Sequence, residues 1–72
     1  MKMGIKEIWD KIPQEQQTEI RLRIQKDGFG YTTAYFWCNG RRKPKPFLRA
    51  RVCQHINAVT GENHTVQELW PN

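Results

Sequence analysis

Glycine and proline cut this chain into short pieces, and that punctuation limits what it can fold into. Pro13, Gly28 and Gly30, Gly40, Pro44 and Pro46, Gly61 and Pro71 interrupt 72 residues. No apolar run between them approaches the roughly 20 residues needed to cross a bilayer. The N-terminus shows no cationic region followed by an apolar stretch either, so a cytoplasmic protein is expected. A chain of this length makes one small domain, expected over residues 4–70. Such a domain buries only about 60% of its unfolded surface and leaves little room for a deep catalytic cleft.

Between the breaks, apolar spacing predicts helices. Ile5, Ile8, Trp9 and Ile12 follow the i, i+3, i+4, i+7 spacing of one helical face, which predicts a helix over 4–11. Pro13 ends it and suits the start of the next, with Glu15 and Glu19 near that new N-terminus. The segment Gln14 to Asp27 supports two periods. Ile20, Leu22 and Ile24 alternate as in a half-buried strand, yet Ile20 and Ile24 are also one helical turn apart. A strand over 18–25 would pair with Tyr31–Trp37 through an Asp27-Gly28 hairpin turn. Helix is favoured, because Gln14 to Gln17 are unbranched helix formers and an isolated two-stranded hairpin is marginal.

Further along, Asn39-Gly40 is a helix stop, and Arg41-Arg42-Lys43-Pro44-Lys45-Pro46 reads as an extended basic loop. Leu48, Val52, Ile56 and Val59 then share one face of a helix that begins at Phe47 and stops at Gly61. Thr65-Val66-Gln67-Glu68 has the form of a capping box, and Val66, Leu69 and Trp70 close the chain with a short helix that Pro71 ends. The expected fold is all-α, a small domain of four to five helices.

The net charge of +5 is unevenly placed. From Gly28 to Gly61 there are six cations (Arg41, Arg42, Lys43, Lys45, Arg49, Arg51) and no acid, while the rest holds six cations against seven acids. Charge segregated in this way suggests a polyanion facing one side of the domain, because phosphate contacts supply most sequence-independent affinity for nucleic acid.

The stretch Gly28-Phe29-Gly30-Tyr31-Thr32-Thr33-Ala34-Tyr35-Phe36-Trp37-Cys38-Asn39-Gly40-Arg41-Arg42-Lys43-Pro44 resembles the core of helix-turn-helix domains of the lambda-repressor and Cro-like class. That class shows a glycine turn, a small polar opening of the recognition helix, a buried apolar residue, Trp or Leu, then Asn-Gly, basic residues and Pro. The likeness continues through Phe47–Val59 and Thr65–Pro71 and covers about the last 45 residues. Two features depart from the pattern: Arg21 and Lys26-Asp27 stand where a short Leu-Ala helix is usual, and Phe36 occupies a commonly polar position.

The resemblance implies a central helix-turn-helix whose recognition helix spans about 31–39, with Ala34 and Trp37 facing the core. It puts Tyr31, Thr32, Tyr35 and Phe36 toward base edges, and Thr33, Arg41, Arg42, Lys43 and Lys45 on phosphates. The chemistry suits those roles. The first turns of a helix in the major groove come closest to the bases, and hydroxyls can bond to base edges. A backbone-contacting loop needs charge rather than exact geometry. The implied function is sequence-specific double-stranded DNA binding by a transcriptional regulator of phage or mobile-element type, acting as a homodimer. No cofactor, metal, small-molecule substrate or membrane is called for.

Catalytic and metal chemistry find little footing. Cys38, Cys53, His55 and His64 match no short Cys-x2-4-Cys or His-x3-5-His spacing, and no Ser/His/Asp or Cys/His set has an evident third partner. Both thiols read as free and buried, His55 as a helix-surface residue and His64 as a loop residue. Glu7 and Lys11 are spaced as an i, i+4 pair. Two other readings stay open. One is a protein-interaction module with Tyr35, Phe36 and Trp70 forming an apolar surface; the other is an RNA or single-strand binder if 18–37 is a β-hairpin.

Overall fold

Ile20 and Ile24 are buried to 0% and 1% exposure while Leu22 between them is 51% exposed. That is the signature of a 3.6-residue period, since a strand would place all three on one side. The computed structural model, which describes residues 4–71, makes this segment helix α2, Gln14–Lys26. It follows α1, Ile5–Asp10, and precedes α3, Tyr31–Cys38, α4, Pro46–Thr60, and α5, Val66–Leu69. Among the described residues there is no strand, so the hairpin alternative falls. The all-α expectation holds.

Each boundary has a local cause. The Glu7 carboxylate accepts the Gly4 N–H at 3.1 Å across the first turn of α1. Lys6 rather than Lys11 makes an i, i+4 pair on that helix, with Asp10 at 3.4 Å. Pro13 is the extended residue just before α2, and its carbonyl accepts the Gln17 N–H at 3.0 Å. Gly61 takes φ +74 past the end of α4, a left-handed cap that favours glycine. Helix α4 starts one residue earlier than the expected Phe47. Pro46 is its first residue, where a missing N–H costs nothing. The capping box at α5 forms as read: Thr65 Oγ1 accepts the Glu68 N–H at 3.1 Å, and Glu68 Oε1 accepts the Thr65 N–H at 3.2 Å.

All five helices bury residues in one core. Ile5, Ile8, Trp9 and Ile12 come from α1 and its end, Ile20 and Ile24 from α2, and Ala34, Trp37 and Cys38 from α3. Val52, Cys53 and Ile56 of α4 and Leu69 and Trp70 at the C-terminal end complete it. Burying an aliphatic side chain stabilises by about 1.5–3 kcal/mol, so these residues carry most of the driving force in so small a chain. Helix α2 packs against both α3 and α4, which makes it the bridge between α3 and the longest helix. Helix α5 packs on α1 and α4. Trp70 is 3% exposed. It therefore cannot join Tyr35 and Phe36 in an outer apolar surface, as the protein-interaction reading required.

Candidate nucleic-acid interface

The turn between α2 and α3 is short because its residues can bend without strain. Asp27 closes α2, Gly28 takes φ +105, and Gly30 stands extended just before α3. Phe29 packs edge-on against Trp37, with ring centroids 5.0 Å apart and planes at 63°. That contact, with Ala34 at 0% exposure and Cys38 at 1%, fixes which way α3 faces. Ala34 and Trp37 are thus core-facing, as the resemblance implied.

The opposite face of α3 is open. Tyr31 is 58% and Tyr35 43% exposed, one helical turn apart, and their rings stack at 6.3 Å with an 18° interplanar angle. Thr32 is exposed beside them and Thr33 is half-buried. Phe36 adjoins that row, its ring centroid 6.1 Å from that of Tyr35 with the planes tilted by 51°. It is half-buried on the flank of α3, with the Arg42 guanidinium 5.6 Å from its ring centroid. This cation–π contact ties the loop to the α3 flank.

The basic loop then folds back along the flank. The Phe36 carbonyl accepts both the Arg41 and the Arg42 N–H, at 3.0 and 3.2 Å. Asn39 Oδ1 accepts the Arg41 N–H at 3.2 Å, and Gly40 at φ +84 lets the chain reverse. Pro44 is buried, an anchor that its sequence context did not advertise. Arg49 Nε donates to the Pro44 carbonyl at 2.9 Å and holds the loop from α4. The result is an open cavity of about 460 Å³ in which Thr32, Thr33 and Phe36 of α3 meet Arg42, Lys43 and Lys45.

The cations from Gly28 to Gly61 accordingly do not share one surface. Arg42, Lys43 and Lys45 converge on that cavity, whereas Arg41 diverges to the other flank of α3, beside Tyr35 and Asn39. Arg49 is a strut for Pro44. Arg51 lies near Asp27, whose carboxyl it helps to hold ionised. The expectation of a single basic face is corrected on two grounds: the turn at Gly40 parts Arg41 from Arg42, and Arg49 and Arg51, two residues apart on α4, point to different sides of that helix.

The histidines are engaged locally. His55 Nε2 lies 2.6 Å from Asp27 Oδ2, and Arg23 Nε donates to His55 Nδ1 at 3.4 Å. His64 Nε2 lies 2.6 Å from Glu62 Oε1, and the His64 backbone is clamped by Asn57 through bonds of 2.9 and 3.0 Å. Among the described residues, no group of three or more His, Cys, Asp or Glu side chains is placed to hold a metal ion. Both cysteines are free and buried. Burial pushes the Cys38 thiol up to about 12, and Cys53 is raised for the same reason. No helix among the described residues is long and apolar enough to cross a membrane.

Arg21 has a role that its sequence context hid. In the chain it interrupts a motif, yet the fold brings it beside Tyr35 and Arg41. The usable signal was its place three residues before Ile24, on the side of α2 nearest α3. Compared with protein-family models, with curated proteins and with solved structures, the chain finds no match.

Proposed function

We propose that the protein is a helix-turn-helix module that binds double-stranded DNA in a sequence-specific manner and regulates transcription. The observation that carries this reading is the cavity on the flank of α3. It joins the opening residues of an exposed helix, Thr32 and Thr33, to three cations, Arg42, Lys43 and Lys45. A helix laid in the major groove needs this combination: outward side chains at its start for base edges, and charge beside it for the backbone. Tyr31, Thr32 and Tyr35 would read bases and Phe36 would line the flank; Thr33, Arg42, Lys43 and Lys45 would hold phosphates. One short helix reads few base pairs, so a homodimer on half-sites about 34 Å apart is the proposed working form.

A salt titration of binding to random duplex DNA tests the reading. Affinity should fall steeply as salt rises, and the joint Arg42→Ala, Lys43→Ala variant should flatten the slope by about one unit for each phosphate it no longer neutralises. Absence of duplex affinity at low salt overturns it. Selection from a randomised duplex pool then asks whether Thr32→Ala or Tyr35→Ala changes the preferred sequence, which a purely electrostatic binder would not show.

A further inference from the structure

On the other flank of α3, a second open cavity of about 530 Å³ lies between α1, α2 and the end of α3. Two helices and a loop bring cations to it: Lys6 from α1, Arg21 from α2 and Arg41 from the loop. Asp10 is the one acid among its lining residues, and that carboxylate is already drawn to Lys6 at 3.4 Å. The cavity wall therefore carries an excess of two positive charges in a concave site, where low-dielectric walls focus the field.

Arg21 is the centre of this arrangement. It is half-buried, and its guanidinium lies 6.0 Å from the Trp9 ring centroid. Among the described residues it pairs with no carboxylate. A guanidinium that is stacked, partly desolvated and without a counter-charge has been oriented in advance at a cost that a bound anion would offset. Its planar fork matches the oxygens of a phosphate better than an ammonium does. Tyr35, on the exposed face of α3, forms the rim shared with the base-reading row.

We propose that this cavity is a second phosphate-binding site, with Arg21 as its fork and Lys6 and Arg41 as flanking charges. Assigning that phosphate to a DNA backbone rests on the DNA reading above; the anion site itself does not. On that reading, the consecutive residues Arg41 and Arg42 part to opposite flanks of α3 and grip phosphates on both sides of the groove that α3 enters. The site would equally take a free phosphate.

Two measurements test this and separate the sources. First, inorganic phosphate is titrated into the protein and followed by NMR. The Arg21 Nε–H and the Asn39, Gly40 and Arg41 amides should shift together and saturably, and should cease to do so in Arg21→Met, which keeps an unbranched stem on Trp9 but removes the fork. Second, duplex binding is compared for Asp10→Asn and Glu15→Gln, which alter net charge equally. Asp10→Asn should tighten binding severalfold and Glu15→Gln should not, and Arg21→Met should lower the salt slope by about one. Asp10 is exposed, so its substitution remains informative even if Arg21→Met does not fold. If phosphate shifts none of these signals and the two acid variants bind alike, the site is overturned while binding through Arg42 and Lys43 stands. Saturable phosphate shifts without any duplex affinity would keep the anion site, assign it to free phosphate and reject the DNA reading.

Discussion

The Asp27 carboxylate lies 2.6 Å from His55 Nε2, tying the turn between α2 and α3 to the middle of α4. In the neutral imidazole Arg23 Nε donates to Nδ1 and leaves Nε2–H to donate to Asp27; in the imidazolium the Arg23 bond is lost and Nε2–H still donates to Asp27. The bond to His55 holds the Asp27 carboxyl below its usual range, with His55, Arg51 and Arg23 charges acting in the same direction and partial burial opposing them.

A carboxyl whose pKa is depressed by folding contributes stability above its unfolded value, and loses it as pH falls through the folded one. The wild-type melting temperature should therefore drop as pH is lowered below about 4. Asp27→Asn should flatten that acid limb while lowering the melting temperature at pH 6. His55→Ala should do the same, because it removes the main cause of the shift. Thermal unfolding followed by circular dichroism across this range checks the prediction, and an unchanged acid limb in both variants would refute it.

Much of the fold was legible in the sequence because the signals were local. Gly61, the Thr65–Glu68 box and the i, i+3, i+4 spacing of Ile5, Ile8 and Trp9 each act within a few residues. The candidate site was less legible because it is assembled from residues far apart in the chain. Pro44 read as part of an extended basic loop, yet burial of its ring and the Arg49 bond to its carbonyl decide where Arg42 and Lys43 stand. Arg21 and Arg41 meet only because α2 packs on α3. Sequence spacing gives the face of α2 that Arg21 occupies, three residues before Ile24, but not the packing of α2 on α3 that brings Arg41 to it.

The two periods of α2 make opposite predictions for single substitutions. Ile24→Ala should cost about 2–5 kcal/mol, the usual range for truncating a fully buried aliphatic side chain. Leu22→Ser should change stability by no more than about 0.5 kcal/mol, because Leu22 is 51% exposed and stands outside the core. Urea denaturation gives both values. Comparable costs at the two positions would mean that α2 turns a different face to the core.

Thiol chemistry reports on the same core. Cys38 is 1% exposed and burial pushes its thiol up to about 12, so almost no thiolate is present at pH 8 and reagents cannot reach it. Cys53 is also buried and donates to the His64 carbonyl at 3.0 Å. Alkylation at pH 8 should leave Cys38 unmodified in the native protein and label it promptly in urea, with mass spectrometry distinguishing the two sites. Labelling of Cys38 at the rate of a free thiol under native conditions would contradict the packing of α3.

Gly40 and Gly61 separate the cost of a backbone conformation from the cost of displacing the cations. Both have positive φ, +84 and +74, so alanine at either position should destabilise by about 1 kcal/mol through left-handed strain alone. Their surroundings differ. A Cβ at Gly61 meets nothing within 4 Å, whereas one at Gly40 lies 3.4 Å from Lys6 Cβ and 3.7 Å from Ile5 Cγ2. Gly40→Ala should therefore cost at least as much as Gly61→Ala, and it should also disturb the turn that sends Arg41 and Arg42 to different flanks of α3. On the DNA reading, the duplex affinity of Gly40→Ala should fall several-fold more than that of Gly61→Ala when both are measured well below their melting temperatures. Equal affinities at unequal stabilities would show that the cations need no fixed turn, and that binding depends on the charge of the loop rather than on its geometry.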